Sequence, residues 1–167
     1  SPIITSGTTV FRFTGTGSWS QNAQSFELRN PVIIDTAGTL TIDGTVLYRG
    51  TITYTAGTIA QANSGTLSLV TGATSILDMN NAVFGANLTI NGAGITVQML
   101  SGMEVTAGRT VTMLGTGGNH VNFESSSAGV QRKFTMQTGV LYNIKFIDTT
   151  DIDSGDGQTV FYNNPGN

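Results

Sequence analysis

The sequence predicts an all-β chain whose short strands stack as a parallel β-helix, and three observations predict it. A Gly-Thr step recurs at Gly38, Gly44, Gly50, Gly57 and Gly65. Each step opens a short run in which apolar residues alternate with Thr or Ser, the period-2 pattern of a strand with one buried side. We also find no stretch of about ten residues with the 3.6-residue apolar period of a helix.

The composition favours a folded, β-rich chain. Charged residues make up 10% of the sequence, against about 25% in ordinary domains. Gly accounts for 22 of the 167 residues, and Val, Ile and Thr are plentiful. Disordered chains combine few β-branched residues with high net charge, and this chain has neither feature. Its length is typical of one continuous domain.

The spacing of the Gly-Thr steps favours a solenoid over a β-sandwich. Successive steps lie 6 to 8 residues apart, whereas hairpin-linked strands of a sandwich usually recur every 8–12 residues or so. Three strand-and-corner units give a repeat of roughly 20–25 residues, which is in the solenoid range. We therefore predict a single-stranded parallel β-helix of roughly six or seven coils; a right-handed sense is what the resemblance described below implies. A β-sandwich is the alternative, because Asp43-Gly44 and Asn91-Gly92 are typical hairpin turns.

Three segments are expected within this one continuous domain. Residues 1–31 contain the only Trp, break the repeat and are predicted to form an N-terminal cap, because the first rung of a stack needs cover for its edge and core. Residues 32–114 are predicted to form the regular coils, and residues 115–167 irregular coils with longer, more aromatic strands. The predicted strands are 8–14, 26–29, 32–34, 39–42, 45–48, 51–54, 58–60, 66–70, 75–77, 88–90, 95–99, 103–105, 110–113, 121–124, 132–136 and 140–148.

Charge and cysteine content exclude several kinds of function. The formal net charge is -3, and the seven Lys and Arg residues are scattered apart from Arg132-Lys133, so we expect no nucleic-acid partner. The chain has no Cys, which rules out a disulfide framework or a Cys-ligated zinc site. It also lacks a run of about 18 apolar residues, so no membrane-spanning helix is predicted.

The candidate catalytic residues are few, and we expect no enzyme. Glycoside cleavage requires two carboxylates about 5–10 Å apart. Glu104 and Glu124 are 20 positions apart, about one coil, so both could lie on one face; the alternative is two solvated side chains. His120, the only His, lies among Gly and Asn without a Gly-x-Ser-x-Gly elbow, so a surface histidine is expected.

An acidic loop is the sharpest local signal for a bound ion. Asp151, Asp153 and Asp156 occur in the run Asp-Ile-Asp-Ser-Gly-Asp-Gly. Calcium takes about six to eight oxygen ligands and tolerates closely spaced carboxylates around a Gly turn. The sequence thus predicts a possible structural calcium site and no other cofactor. The alternative is a turn in which the Asp carboxylates accept hydrogen bonds from backbone amides.

Three aromatic residues are candidates for contact with a ligand or partner. Trp19, Tyr48 and Tyr54 could form a platform against which a sugar ring stacks if they were exposed. Packing in the core or the cap is the alternative for each.

Two stretches near the end resemble a known group of proteins. Residues 141–148 (LYNIKFID) and 153–162 (DSGDGQTVFY) resemble the late coils of right-handed parallel β-helix modules in phage virion proteins and bacterial surface adhesins. In those modules a strand, an Asp, a small acidic loop and a Gly-x-Thr-aromatic strand close a coil. The Gly-Thr repeat and the run Gly17-Ser18-Trp19-Ser20 resemble the same group.

The resemblance implies a structural and interaction protein of a virion. It would act as a rigid β-helical element in a tail fibre, tail spike or head decoration, often as a homotrimer. Its partners would be copies of itself and virion or cell-surface proteins, with a host surface glycan as a further candidate. One alternative is a secreted or surface-bound bacterial adhesin or autotransporter passenger fragment. Another is a tailspike module that binds or cleaves polysaccharide.

Overall fold

The computed structural model describes residues 8–21 and 27–154, and within these ranges the chain is all β and contains no helix. Fifteen strands follow one another in the described residues. They are β1 (Phe11–Phe13), β2 (Gly17–Ser20), β3 (Val32–Tyr48), β4 (Thr51–Leu69), β5 (Ser75–Asp78), β6 (Ala82–Phe84), β7 (Asn87–Asn91), β8 (Thr96–Met99), β9 (Met103–Val105), β10 (Thr110–Leu114), β11 (Val121–Ser125), β12 (Arg132–Met136), β13 (Leu141–Lys145), β14 (Ile147–Thr150) and β15 (Ile152–Asp153).

The strands stack as a parallel β-solenoid of about six turns. Each pairing between the named strands is parallel, including the long pairing of β3 with β4. In the described ranges, the antiparallel pairing is limited to one isolated bridge, between Thr116 and Asn119 in a tight turn. The solenoid prediction is therefore confirmed, and the β-sandwich alternative is excluded because parallel neighbours cannot be joined by hairpins.

The strands fall into three faces, which the chain visits in the same order in each coil. Face 1 contains β1, the first part of β3, the first part of β4, β5, β8, β11 and β14. Face 2 contains β2, the middle parts of β3 and β4, β6, β9, β12 and β15. Face 3 contains the last parts of β3 and β4, β7, β10 and β13.

The core is a set of apolar columns that run along the solenoid axis. On face 3, one column contains Leu28, Tyr48, Leu69, Ile90, Met113 and Ile144, all buried. The residues between them along each strand point outward, as the strand period of two requires. Full burial of one such Leu or Ile stabilises the fold by about 1.5–3 kcal/mol, so the column accounts for much of the cohesion between coils.

The prediction of separate short strands between residues 32 and 70 is wrong in detail. Six predicted strands are two continuous strands, β3 of 17 residues and β4 of 19 residues. Their pairing shifts register between Ile34 and Asp35, between Asp35 and Thr39, and between Asp43 and Thr45. Such bulges bend a strand around a corner while most of its hydrogen bonds to the next coil persist.

Two of the repeated glycines are required where coils touch at a corner. A Cβ atom at Gly65 would clash with the carbonyl oxygen of Ile42 in the coil below. Gly57 has a φ of 112°, and a Cβ there would clash with Thr36. The Gly-Thr repeat therefore reflects close backbone approach between coils as well as turn formation.

Two further strand predictions are corrected. Strand β6 lies in a stretch for which no strand was predicted, because its three residues offer too short a pattern to recognise. The single strand predicted over 140–148 is two strands, β13 and β14, separated by Phe146. Phe146 has a φ of 52°, so the backbone turns a corner there.

The described part of segment 1–31 forms a first coil. Strands β1 and β2 pair with β3, and Leu28 bridges to Tyr48. The ring of Trp19 packs against Phe13 and against Tyr48, with centroid distances of 5.6 Å in both cases. An aromatic cluster thus fills the N-terminal end of the core. Residues 1–7 and 22–26 of the predicted cap lie outside the described residues.

Candidate interaction surfaces

The outward side of face 3 carries no charge over four coils. Its outward residues on β3, β4, β7 and β10 are Thr45, Leu47, Thr66, Ser68, Asn87, Thr89, Thr110 and Thr112. We call this set the uncharged face. In the described residues, charged side chains occur on face 3 in the coils on either side of this set, at Glu27 before Leu28 and at Lys145 on β13. Neighbouring strands are about 4.8 Å apart, so the uncharged face is a regular array of hydroxyl, methyl and amide groups.

Side-chain hydrogen bonds tie the edge of the uncharged face together. The amide of Asn87 donates to the carbonyl oxygen of Ser64 (3.2 Å) and to Oγ1 of Thr66 (3.4 Å). Its Oδ1 accepts from the backbone N–H of Thr110 at 2.9 Å. One side chain therefore links three successive coils, which holds the outward groups in a fixed arrangement.

The other two faces carry several acidic residues. Asp78, Glu124 and Asp148 point outward from face 1, and Glu104 points outward from face 2. The charge distribution therefore distinguishes face 3 from its neighbours. The sequence alone does not reveal this asymmetry, because assigning residues to a face requires the positions of the corners.

Glu104 and Glu124 lie on different faces, so the expectation that both could share one face is wrong. Glu104 is on β9 and Glu124 is on β11, which belong to faces 2 and 1. Glu104 accepts a hydrogen bond from Gln137, and Glu124 accepts one from Gln98 at 2.8 Å. The length assumed for one coil was too short here, because the loops around β11 lengthen this coil.

His120 is paired rather than simply solvated. Its Nδ1 lies 3.0 Å from Oδ1 of Asp148, and its ring packs against Phe146 with a centroid distance of 6.0 Å. The imidazole is about a quarter exposed, with a relative accessibility of 23%. Residues one coil apart meet in this way, and the sequence showed no sign of it because the two residues are 28 positions apart.

A second charged cluster, which the sequence alone does not reveal, lies near the N-terminal end. Oε1 of Glu27 lies 2.7 Å from Nε of Arg29 and 2.7 Å from Nε of Arg49. Arg49 also donates from its Nη1 to the carbonyl oxygen of Thr71 at 3.0 Å. Arg49, with only 14% of its side chain exposed, thus joins three consecutive coils at one corner.

Part of the predicted calcium loop is occupied by hydrogen bonding to the backbone. Oδ2 of Asp151 accepts from the N–H of Gly129 at 2.7 Å, and its carbonyl oxygen accepts from the N–H of Arg132 at 2.8 Å. Asp153 ends β15, and Asp156 lies outside the described residues. Within residues 8–21 and 27–154, no group of three His, Cys, Asp or Glu side chains is arranged to hold a metal ion. Calcium binding by Asp151, Asp153 and Asp156 stays a prediction.

The three aromatic candidates have different surroundings. Trp19 is 7% exposed and Tyr48 is 0% exposed, so packing accounts for both. The Tyr48 hydroxyl lies 3.0 Å from the carbonyl oxygen of Asn30 and 2.7 Å from that of Thr51, and burial raises its pKa above the usual range. Tyr54 is half-buried, and its hydroxyl donates to the carbonyl oxygen of Gly57 at 2.6 Å. Of the three, only Tyr54 offers ring surface to a partner.

An apolar pocket of about 450 Å³ lies at the C-terminal end of the described solenoid. Its walls are core side chains of the last coils, with a few polar groups at the rim. They are Met113, Phe123, Phe134, Met136, Ile144, Ile147, Asp148, Thr149, Ile152 and Ser154.

The fold places the chain among parallel β-solenoids, an architecture that hosts many unrelated functions. Comparison with family models, with curated proteins and with solved structures finds no match to this chain. In the part of the chain that the structure describes, no helix is long and apolar enough to cross a membrane.

Proposed function

We propose that the protein is a rigid structural and interaction element, built into a virion as part of a tail fibre, tail spike or head decoration. The observation that carries the proposal is the unbroken apolar column from Leu28 to Ile144, with parallel pairing between each coil and the next. Because each coil is hydrogen-bonded to the next and shares its core, the solenoid resists bending and proteolysis. The resemblance of residues 141–148 and 153–162 to virion β-helix modules supports the virion setting.

The uncharged face is the surface that we propose for contact with further copies of the chain. Buried charges cost several kcal/mol each unless they are paired, and interface cores are depleted of charged residues. Face 3 meets this condition over β3, β4, β7 and β10, whereas faces 1 and 2 do not. A homo-oligomer, such as the trimer that the resemblance implies, would bring three such faces towards one axis.

The oligomer can be tested by light scattering coupled to size exclusion. Thr89→Arg with Thr112→Arg places two charges in the middle of the uncharged face, and Thr41→Arg is the matched control on face 2. We expect the double variant to shift the protein to monomer and the control to leave its mass unchanged. If both variants keep the mass of the wild-type oligomer, the uncharged face is not the contact surface. If the wild type itself is a monomer, the proposal of a homo-oligomer is wrong.

The virion setting is tested separately, by mass spectrometry of purified particles and of cell envelopes from the source. The proposal expects peptides of this chain in the particles at a stoichiometric ratio to other virion proteins. Recovery from the envelope fraction alone would instead favour a bacterial adhesin or passenger fragment, which the same fold would serve. Polysaccharide cleavage was suggested by the prospect of two carboxylates on one face. The structure does not support that arrangement, because Glu104 and Glu124 are on different faces.

A further inference from the structure

One outward row of face 2 lacks a side chain at Gly102. The backbone N–H of Asn81, one coil earlier, donates to the carbonyl oxygen of Gly102 at 2.8 Å. Lys133 lies on the other side of Gly102, because the residues that follow them, Phe134 and Met103, are partners across β12 and β9. A Cβ on Gly102 would lie 3.0 Å from the carbonyl oxygen of Lys133 and would clash with Oδ1 of Asn81. Close approach of the coils therefore keeps this position as glycine, and the missing side chain leaves a recess.

This recess, which we call the face 2 recess, has a volume of about 340 Å³. Sites for small molecules occupy about 300–1,000 Å³, so one small ring fits it. Met103, which is only 3% exposed, lines it together with the outward partners Glu104 and Thr135 of neighbouring coils. Asn81 and Lys133 complete the lining. The recess thus combines an apolar wall with an amide, a carboxylate, an ammonium and a hydroxyl group.

The carboxylate in the face 2 recess is held in place from one side. Gln137 donates from its Nε2 to Oε1 of Glu104, and its own Oε1 accepts from the backbone N–H of Ala107 at 3.0 Å. In residues 8–21 and 27–154, Oε2 of Glu104, the side-chain amide of Asn81 and the hydroxyl of Thr135 form no hydrogen bond within the protein. These three groups supply both donors and acceptors to a ligand.

The chemistry of the face 2 recess favours a neutral ligand that is rich in hydroxyl groups. Glu104 and Lys133 bring one charge of each sign, so neither an anion nor a cation gains over a neutral molecule. Hydroxyl groups can donate to a carboxylate or an amide oxygen and can accept from an amide N–H. Val83, which is 51% exposed and lies opposite Glu104, offers apolar surface to the C–H side of a ring.

We propose that the face 2 recess binds one pyranose ring of a neutral glycan, with Glu104, Asn81 and Thr135 hydrogen-bonded to its hydroxyl groups. The proposal rests on the proposed function, in which the solenoid is displayed on a particle that meets glycan-bearing surfaces. A single ring in a shallow recess binds weakly, with a Kd on the order of 1 mM. A particle that carries many copies of the chain gains overall affinity from multivalency.

The ligand class is tested by titrating the isotope-labelled 167-residue chain with simple sugars and following its amide signals by nuclear magnetic resonance. The compounds are the methyl glycosides of glucose, galactose and mannose, with methyl glucuronide and methyl glucosaminide as charged counterparts. We expect at least one neutral glycoside to shift the amide signals of Asn81, Glu104 and Thr135. No shift with any neutral glycoside up to about 20 mM would overturn the proposal, and so would shifts confined to other residues. Tighter binding of a charged counterpart would overturn the neutral class.

Variants with matched controls test the site itself. Thr135→Tyr fills the recess and should abolish binding, whereas Thr58→Tyr is the control at an exposed position on face 2, two coils before β9. Glu104→Gln replaces a charged acceptor by a neutral one and should weaken binding at least about fivefold. Glu124→Gln is its control, because Glu124 is an outward carboxylate on face 1 that also accepts from a Gln. Equal affinities of a variant and its control, with unchanged circular dichroism spectra, would overturn the site.

The outcome is distinguishable from that of the virion test. Particles that contain the chain, together with a chain that binds no glycoside, would refute the face 2 recess as a sugar site and leave the virion setting standing. Glycoside binding at the face 2 recess by a chain that is absent from particles would support the site and refute the virion setting.

Discussion

The coils formed by β3 to β10 and the later coils built from β11 to β15 differ in length although they share one core. Tyr48, Leu69, Ile90 and Met113 follow one another at 21, 21 and 23 positions, whereas Ile144 follows Met113 after 31. The columns nevertheless stay in register, so the extra residues of the later coils lie in corners. The core therefore fixes the register of the strands. The number of residues in each corner determines which polar side chains meet on the outside of the solenoid.

The largest expected loss of stability comes from substitutions in the apolar column of face 3. The loss should be greater in the middle of the column than at its end. Ile90→Ala removes a fully buried side chain between two coils, and we expect a loss of about 2–5 kcal/mol in the free energy of unfolding. Ile144→Ala should cost less, because Ile144 is 8% exposed and borders the pocket. Urea denaturation followed by circular dichroism measures both values. Equal losses would show that the late coils are as tightly packed as the regular ones.

Substitution of glycine should likewise cost more stability in the regular coils than in the later coils. Gly65→Ala places a Cβ against the carbonyl oxygen of Ile42, and we expect a loss of about 1–3 kcal/mol. Gly118 is the control in a late corner, because a Cβ there meets no atom within 4 Å and the change should stay within about 0.5 kcal/mol. Thermal unfolding checks the pair. A Gly65 variant as stable as wild type would contradict the close approach of coils at this corner.

The sequence predicted the solenoid because its period-2 runs and Gly-Thr spacing are set by the core and by close corners. It could not show that Glu104 and Glu124 diverge, since that depends on how many residues the corners around β11 contain. Nor could it pair His120 with Asp148, 28 positions away. Contacts within a regular coil follow from the repeat, whereas contacts in the longer corners follow from geometry that the repeat does not encode.

Tyr48 makes the regular coils sensitive to alkali. Its phenol is buried and its pKa is raised, so above about pH 10, the usual pKa of Tyr, the unfolded chain releases a proton that the folded chain keeps. Stability is therefore intact below about pH 10 and falls above it, by up to about 1.4 kcal/mol per pH unit. Tyr48→Phe should flatten this fall relative to wild type.

At neutral pH the same substitution should be destabilising. Tyr48→Phe removes the hydroxyl that lies between the carbonyl oxygens of Asn30 and Thr51, and a loss of about 1–3 kcal/mol is expected. Tyr54→Phe is the control for a half-buried hydroxyl. Denaturation curves at pH 7 and pH 11 give both comparisons. A slope above pH 10 that is identical in wild type and the Tyr48 variant would contradict the assignment to Tyr48.

Calcium should act only on the late coils. If Asp151, Asp153 and Asp156 bind calcium with the weak affinity of extracellular sites, about 5 mM calcium should add about 1–2 kcal/mol of stability. Asp153→Asn and Asp156→Asn should each abolish the gain, with magnesium as the ion control. Differential scanning calorimetry with and without calcium measures the gain in stability. An unchanged unfolding midpoint would contradict calcium binding by the acidic loop.

The smallest effect is expected from the pair that His120, just before β11, forms with Asp148 on β14. Asp148→Asn removes the carboxylate that faces His120, and because the Asp148 side chain is 59% exposed we expect a loss below about 1 kcal/mol. Urea denaturation of the variant and of wild type measures this loss, and a loss comparable to that of Ile90→Ala would contradict the view of late corners as weakly coupled.

The most direct test of the solenoid is the measurement of inter-strand proton contacts by nuclear magnetic resonance. The structure pairs β4 with β7 in parallel, with Leu67 opposite Leu88 and Leu69 opposite Ile90. We predict amide-to-Hα contacts between these pairs, continuing in the same sense from β7 to β10, where Leu88 lies opposite Val111. Strong Hα-to-Hα contacts between neighbouring strands, which indicate antiparallel hairpins, would contradict the account.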